Sequence, residues 1–217
     1  MQRKFLKADL HIHTSHSFDC ATQPREVVRA AERIGLGVIG VTDHGTRAGG
    51  LEAAKVARKI RVLVGQEVKT RQGDVLVFDI DRDLEQGQDC ERTCREAKEL
   101  GGFIIIPHPF DPFREVTGKG TDRILKYADA IEGFNPKCFF GWSNRKAEEY
   151  ARKHGLPAVA SSDAHRAEEV GRAYTLLEGA DPFQAIQNGR VSMVRSRVDK
   201  VDLIKKRVKK ILGDGRA

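Results

Sequence analysis

The chain has 217 residues, of which 40% are hydrophobic and 32% charged, enough for one domain with a substantial core and a charged surface. It has no run of about 18 apolar residues, which excludes a membrane-spanning helix. Its start, MQRKFLKADLHIH, lacks a signal-peptide core, so a cytoplasmic location is expected. The formal charge of +7 belongs to the C-terminus, because basic and acidic residues balance over 1–189 and the surplus lies from Arg190 onward.

FLKADLHIH predicts the first strand. Side chains at i and i+2 of a strand share a face, so His11 and His13 lie side by side with Leu10 and Ile12 turned the other way. Two imidazoles on one face pack poorly and suit a metal. After Pro24, REVVRAAERIG reads as a helix that stops at Gly35. The pattern then runs strand VIGVTDH, helix LEAAKVARKI, strands RVLVGQEV and VLVFDI, and helix DCERTCREAKELG ending at Gly101. Strand FIIIPHP, helix TDRILKYA, strand AIEGFN, helix SNRKAEEYARKHG ending at Gly155, and strand PAVASSD complete it. Such alternation predicts a mainly parallel sheet buried by helices.

Beyond this unit, Val201, Ile204, Val208, Ile211 and Leu212 recur at helical spacing among lysines. The expected organisation is a barrel-forming domain over 1–190 and a basic helical tail over 191–217 that docks on it. Cys20, Cys90, Cys94 and Cys138 are scattered. Cys90 and Cys94 fall one helical turn apart with no second pair to complete a structural zinc site, so reduced thiols are expected.

Polar residues gather at the ends of the apolar strands. Asp43 and His44 close VIGVTDH, Glu67 closes RVLVGQE, His108 closes FIIIPH, Asn135 closes AIEGFN, and Asp163 and His165 follow the last strand; Asp19 lies shortly after His11 and His13. In parallel α/β architectures these C-terminal ends face one site. Imidazole and carboxylate without thiolate suit zinc, manganese or iron, and a carboxylate such as Glu67 bridges two such ions. No seryl or cysteinyl nucleophile signature, P-loop or Gly-rich dinucleotide turn is present, which leaves hydrolysis by metal-activated water.

DLHIHT, VTDHG, GQEV, PHP and SSDAH, in that order, resemble the motifs of the polymerase and histidinol phosphatase (PHP) family, and EEVGRAYTLLE resembles the segment that follows them. The resemblance spans residues 8 to about 178. It implies a distorted, seven-stranded, TIM-like β/α barrel with two or three divalent ions (Zn, Mn or Fe) at its C-terminal mouth. It assigns His11, His13, Glu67 and Asp163 to one ion, Asp19, His44 and His165 to a second, and Glu67 with His108 to a third or shared position. Asn135 stands where the most histidine-rich members have a further ligand, which implies two tight ions and a labile third. Asp19, Asp43 and His44 are the catalytic candidates, with Asp43 placed to orient a ligand.

Arg114 and Arg166 are the candidate substrate-phosphate cations, and Arg47, Lys119, Lys137 and Arg145 also fall in loops near the motifs. His16 is expected at the mouth and His154 at a helix C-terminus. The function expected is hydrolysis of phosphate esters of a small phosphomonoester or nucleotide. The alternatives are a nuclease or nucleic-acid-processing enzyme, and a non-catalytic metal-stabilised scaffold.

Overall fold

The computed structural model describes residues 5–114 and 118–195. Nine strands form one sheet: β1 (Phe5–Ile12), β2 (Val38–Val41), β3 (Arg61–Thr70), β4 (Gly73–Phe78), β5 (Phe103–Ile106), β6 (Ala130–Phe134), β7 (Ala158–Ala160), β8 (Ala173–Glu178) and β9 (Val191–Arg195). Their order is β7-β6-β5-β4-β3-β2-β1-β8-β9. The helices are α1 (Pro24–Arg33), α2 (Ala48–Val56), α3 (Cys90–Glu99), α4 (Gly118–Ile124), α5 (Gly141–Lys153) and α6 (Pro182–Gln187).

All seven expected strands are present, and β8 and β9 add to them. The sheet is mixed: β1–β2, β2–β3, β5–β6 and β6–β7 pair in parallel, whereas β3–β4, β4–β5, β1–β8 and β8–β9 pair antiparallel. The antiparallel β3–β4 pair is a hairpin closed by a short link. The sheet curls until its ends meet. The Thr175 hydroxyl of β8 accepts from the Ala160 N–H of β7 and donates to the Ala160 carbonyl, each at 2.9 Å, and β9 lies beside β7. The result is an α/β fold with a nearly closed, TIM-like barrel.

Alternation along the strands sorts the core. Leu76 and Phe78 of β4 and Phe103 and Ile105 of β5 join Leu10, Val38, Leu63, Val159 and Leu177 in one cluster inside the barrel, floored by Ile186 of α6. Val75, Val77, Ile104 and Ile106 face the other way, under Cys90, Cys94 and Ala97 of α3 and Ala147 and Ala151 of α5. Burial pushes the Cys94 thiol up to about 12, so it serves as a small apolar side chain. Phe78 fills the interior because two neighbours have no side chain. A Cβ at Gly65 would lie 2.6 Å from its ring, and one at Gly40 would lie 2.9 Å from it.

The first strand departs from the simple alternation expected of it. Its pairing with β2 shifts register between Asp9 and Ile12. Leu10 therefore joins the barrel interior while Ile12 packs with Val27, Val28 and Ala31 of α1. The extra residue of a bulge redirects the side chains that follow it, and His11 and His13 still converge. The sheet also extends past the expected boundary at residue 190, because 191–195 form β9 and not part of a helical tail. The rest of that tail, 196–217, and the side chain of Lys119 lie outside the described residues. Among the described residues no helix is long and apolar enough to cross a membrane.

Candidate metal centre

His11 and His13 are fully buried near the end of β1, and their Nε2 atoms lie 3.1 Å apart. Glu67, fully buried on β3, places Oε2 3.2 Å from His11 Nε2 and 3.1 Å from His13 Nε2, and Oε1 3.2 Å from His108 Nε2. Asp163 Oδ1 lies 3.8 Å from His11 Nε2 and 3.5 Å from His13 Nε2. Nearer the opening, Asp19 Oδ2 lies 3.2 Å from His165 Nε2 and 3.6 Å from His44 Nε2. The ligand atoms fall into three overlapping groups: His13, Asp19, His44 and His165; His11, His13 and Asp163; and His11, Glu67 and His108. Eight residues expected from the strand ends thus converge from six loops and strand termini. Two are held in the left-handed backbone region, His108 at φ 30° and Asp163 at φ 53°. Strain of that kind persists where surrounding contacts impose it.

A second layer fixes which nitrogen of each imidazole faces the cluster. Ser17 Oγ donates to Asp43 Oδ1 at 2.9 Å, so its lone pairs are left to accept the His44 N–H at 3.0 Å and the His13 Nδ1–H at 3.0 Å. Glu132 Oε1 accepts from His11 Nδ1 at 3.1 Å. With both protons on Nδ1, the two Nε2 lone pairs point at each other across 3.1 Å. Two lone pairs at that distance repel unless a proton or a cation lies between them.

The electrostatics press in the same direction. Burial alone would drive His11 neutral, yet the charges of Asp163, Glu67 and Glu132 raise its pKa well above the ordinary histidine value. Burial opposes ionisation of Asp19 as well, but hydrogen bonds from His165 and then His44 hold its carboxyl well below the usual carboxylate range. Asp163 Oδ1 and His108 Nδ1 are buried without a hydrogen-bond partner among the described residues. A set of imidazoles and carboxylates with surplus negative charge and a buried carboxylate oxygen that accepts no hydrogen bond fits divalent cations.

The other expected site residues fall differently. Asp43 accepts from the Thr14 backbone N–H at 2.6 Å and the Thr14 hydroxyl at 2.8 Å as well as from Ser17. It is fully buried and reaches His13 through Ser17, the arrangement expected of a residue that orients a ligand. Asn135 engages its neighbours through both ends of its amide, the oxygen included. That oxygen accepts the Lys137 backbone N–H at 2.8 Å, and Nδ2 donates to Glu132 at 2.9 Å and to Asp163 at 3.1 Å. Arg114 reaches Asp163 Oδ2 at 2.6 Å, whereas Arg166 pairs with Glu169 at 3.2 Å and Glu168 at 3.6 Å and braces the loop after β7. Arg47 is tied to Asp83 and to the carbonyls of Ile80 and Asp81. His16 faces Glu52 at the mouth, and His154 is the C-cap residue of α5.

Lys137 is the cation that loop counting undervalued. Its Nζ lies 2.6 Å from His165 Nδ1 and 3.8 Å from Asp163 Oδ1. Glu132 was missed outright. Its carboxylate takes His11 Nδ1 on one oxygen, and the His108 backbone N–H and Asn135 Nδ2, each at 2.9 Å, on the other. The available signal was a charged residue inside the otherwise apolar run AIEGF. A charge that is fully buried requires partners of this kind.

A family model described as PHP domain matches residues 9–129, and one described as PHP-associated matches residues 141–191. The chain belongs to the PHP family of metal-dependent phosphoesterases. Among its curated relatives, the uncharacterized protein MJ1587 of Methanocaldococcus jannaschii is 34% identical over 143 residues, covering 60% of this chain and 82% of that one. The error-prone DNA polymerase of Alkalilimnicola ehrlichii is 29% identical over 202 residues, 87% of this chain but 18% of the polymerase. Among solved structures, a two-domain protein of Bacteroides vulgatus described as containing a predicted PHP-like metal-dependent phosphoesterase superposes with a TM-score of 0.72. That match has 20% identity over 94% of this chain and 70% of that one, and it bears on the PHP fold alone.

Proposed function

We propose that this PHP protein hydrolyses a phosphate monoester, carried by a small metabolite or a nucleotide, at a centre of two tightly held divalent ions and a labile third. The observation that carries the reading is the pair of Nε2 lone pairs of His11 and His13, 3.1 Å apart and held there by Glu132 and Ser17. His11, His13, Glu67 and Asp163 would hold one ion, Asp19, His44 and His165 another, and Glu67 with His108 the third. Asn135, engaged with Glu132 and Asp163, braces the centre and contributes no ligand. Zinc, manganese and iron all suit this donor set. Such ions supply Lewis acidity that offsets phosphoryl charge and brings the pKa of a water near neutrality.

The chain's own residues divide the remaining work. Arg114 and Lys137 sit against Asp163 on one side of the centre and present positive charge to a phosphate. Asp19, whose side chain is 37% exposed, and His44 lie at the opening. There they would hold an ion on the side from which a substrate enters. The buried set of Asp43, Ser17 and Glu132 keeps the imidazoles in one tautomer throughout.

A second reading, action on a nucleic-acid end, is supported by a row of exposed aromatic rings at the mouth and by the similarity to error-prone DNA polymerases. The deciding experiment is phosphate release from a panel of phosphomonoesters and nucleotides with zinc-, manganese- or iron-reloaded protein and a chelated control. Metal content is measured on the same samples. Chelator-sensitive release supports the reading; metal-replete protein that releases no phosphate from any member overturns it.

A further inference from the structure

A row of aromatic rings runs outward from the cationic side of the centre. Phe113, in the loop after β5, meets Phe139 and Phe140, in the loop after β6, with ring centroids 4.8 to 6.0 Å apart. Trp142, in the first turn of α5, continues the row 5.8 Å from Phe140. The planes of Phe113 and Phe140 lie 22° apart, and those of Phe140 and Trp142 lie 19° apart. Phe113 is 53% exposed, Phe140 37% and Trp142 44%. Rings of this size gain free energy by leaving water, so a contiguous exposed row marks an interaction surface.

Charge along the row narrows the occupant. At the inner end, Arg114 follows Phe113 directly and reaches Asp163, and Lys137, three residues before Phe140, reaches His165. At the outer end, Arg145 and Lys146 are exposed on α5, three and four residues after Trp142 and therefore on its side of the helix. Lys146 Nζ also lies 4.5 Å from the centroid of the Phe110 ring. Of the carboxylates nearby, Glu148 is engaged by Arg195 at 2.6 Å. Near-parallel rings flanked at both ends by cations match unpaired bases joined by phosphates, since every base has a face to stack and every linkage a charge to neutralise. An apolar peptide would use the rings and offer no charge to Arg145 and Lys146.

We propose that the strip Phe113–Phe140–Trp142, with Arg145 and Lys146, binds the unpaired end of a single-stranded nucleic acid and leads its terminal phosphate ester toward Arg114 and Lys137. The last part of this rests on the phosphoesterase reading above; binding on the strip does not. Trp142 is the chain's single tryptophan, so intrinsic fluorescence reports occupancy of the strip directly.

The test is a fluorescence titration of the full-length, metal-loaded protein with a thymidine trinucleotide whose phosphorothioate linkages resist hydrolysis. An abasic trimer of the same charge and a thymidine mononucleotide are titrated in parallel. Saturable quenching is expected with the trinucleotide, with binding at least about fivefold weaker for each control. Phe140→Ala is expected to weaken trinucleotide binding about tenfold. Joint replacement Arg145→Ala and Lys146→Ala is expected to flatten the dependence of log affinity on log salt by about one to two. Equal affinity for the abasic trimer or the mononucleotide would overturn the proposal. So would a concentration-dependent dimer, seen by sedimentation and lost in Phe140→Ala, because the strip would then be covered by a second copy of the chain. Turnover of glycerol phosphate, which has no base, tests the hydrolase reading separately: a protein that cleaves it without binding the trinucleotide sinks only this inference.

Discussion

Glu132 Oε1 lies 3.1 Å from Nδ1 of His11, and both side chains are fully buried. Through that bond a strand on the far side of the barrel decides which lone pair β1 offers to the centre. Glu132→Gln keeps an acceptor and loses the charge. Metal affinity is expected to fall about 10- to 100-fold with the fold retained, measured by chelator competition with circular dichroism alongside. Unchanged affinity would show that His11 needs no anionic support.

Removal of bound metal should cost stability, because the ligand cluster exists only in the folded chain. At ion concentrations of about 100 times Kd, saturation contributes about 2.7 kcal/mol per site. Thermal melts with and without chelator are expected to differ by several degrees. The difference should shrink sharply in His11→Ala and Asp163→Ala, which should also lose metal by elemental analysis. Melts that coincide in the parent protein would place the ions outside the folded core.

The interior of the barrel leaves no room for a methyl group beside Phe78. A Cβ at Gly65 would meet the Phe78 ring at 2.6 and 2.7 Å and Thr42 Cγ2 at 3.0 Å. Gly65→Ala is expected to destabilise the protein by about 1–3 kcal/mol in urea unfolding. Combining it with Phe78→Leu should recover part of that loss, since the shorter side chain vacates the contact. A double variant whose effects simply add would refute the steric account.

Asp89 caps α3, accepting from the backbone N–H groups of Glu91 and Arg92. What burial it has works the other way, but Arg123 and those N–H groups lower its carboxyl below the ordinary value. A group depressed in the folded state stabilises it above the unfolded pKa and loses that contribution as pH falls through the folded one. Asp89→Ala is therefore expected to cost about 1 kcal/mol at pH 7, with the gap to the parent closing below pH 4. A gap that held constant down to pH 2 would rule out the charged cap as its source.

The polar strand ends were legible along the chain because strand geometry puts the last residues of parallel strands at one opening. The convergence of His11, His13, His108 and Asp163 follows from that rule, whereas Glu67 lies three residues before the end of β3. Glu132 was hidden because a strand residue between Ile131 and Gly133 carries no local mark of its partners 121 and 24 residues away. The partners of Asn135 and Arg166 were hidden in the same way. Proximity to a motif says nothing of which neighbour claims a side chain, and Lys137 and Glu169 claimed theirs.

What the sequence by itself determined is therefore the set of ligand types and the end of the sheet they occupy, since both depend on spacing within single strands. Only the tertiary structure decided the shift in β1 that sends Leu10 inward and Ile12 outward. It also decided the closure through Thr175 and Ala160, the tautomers set by Ser17 and Glu132, and the meeting of Phe113 with Phe140 and Trp142. Each of these is a contact between segments far apart in the chain. Its energy exists only once the barrel has brought them together.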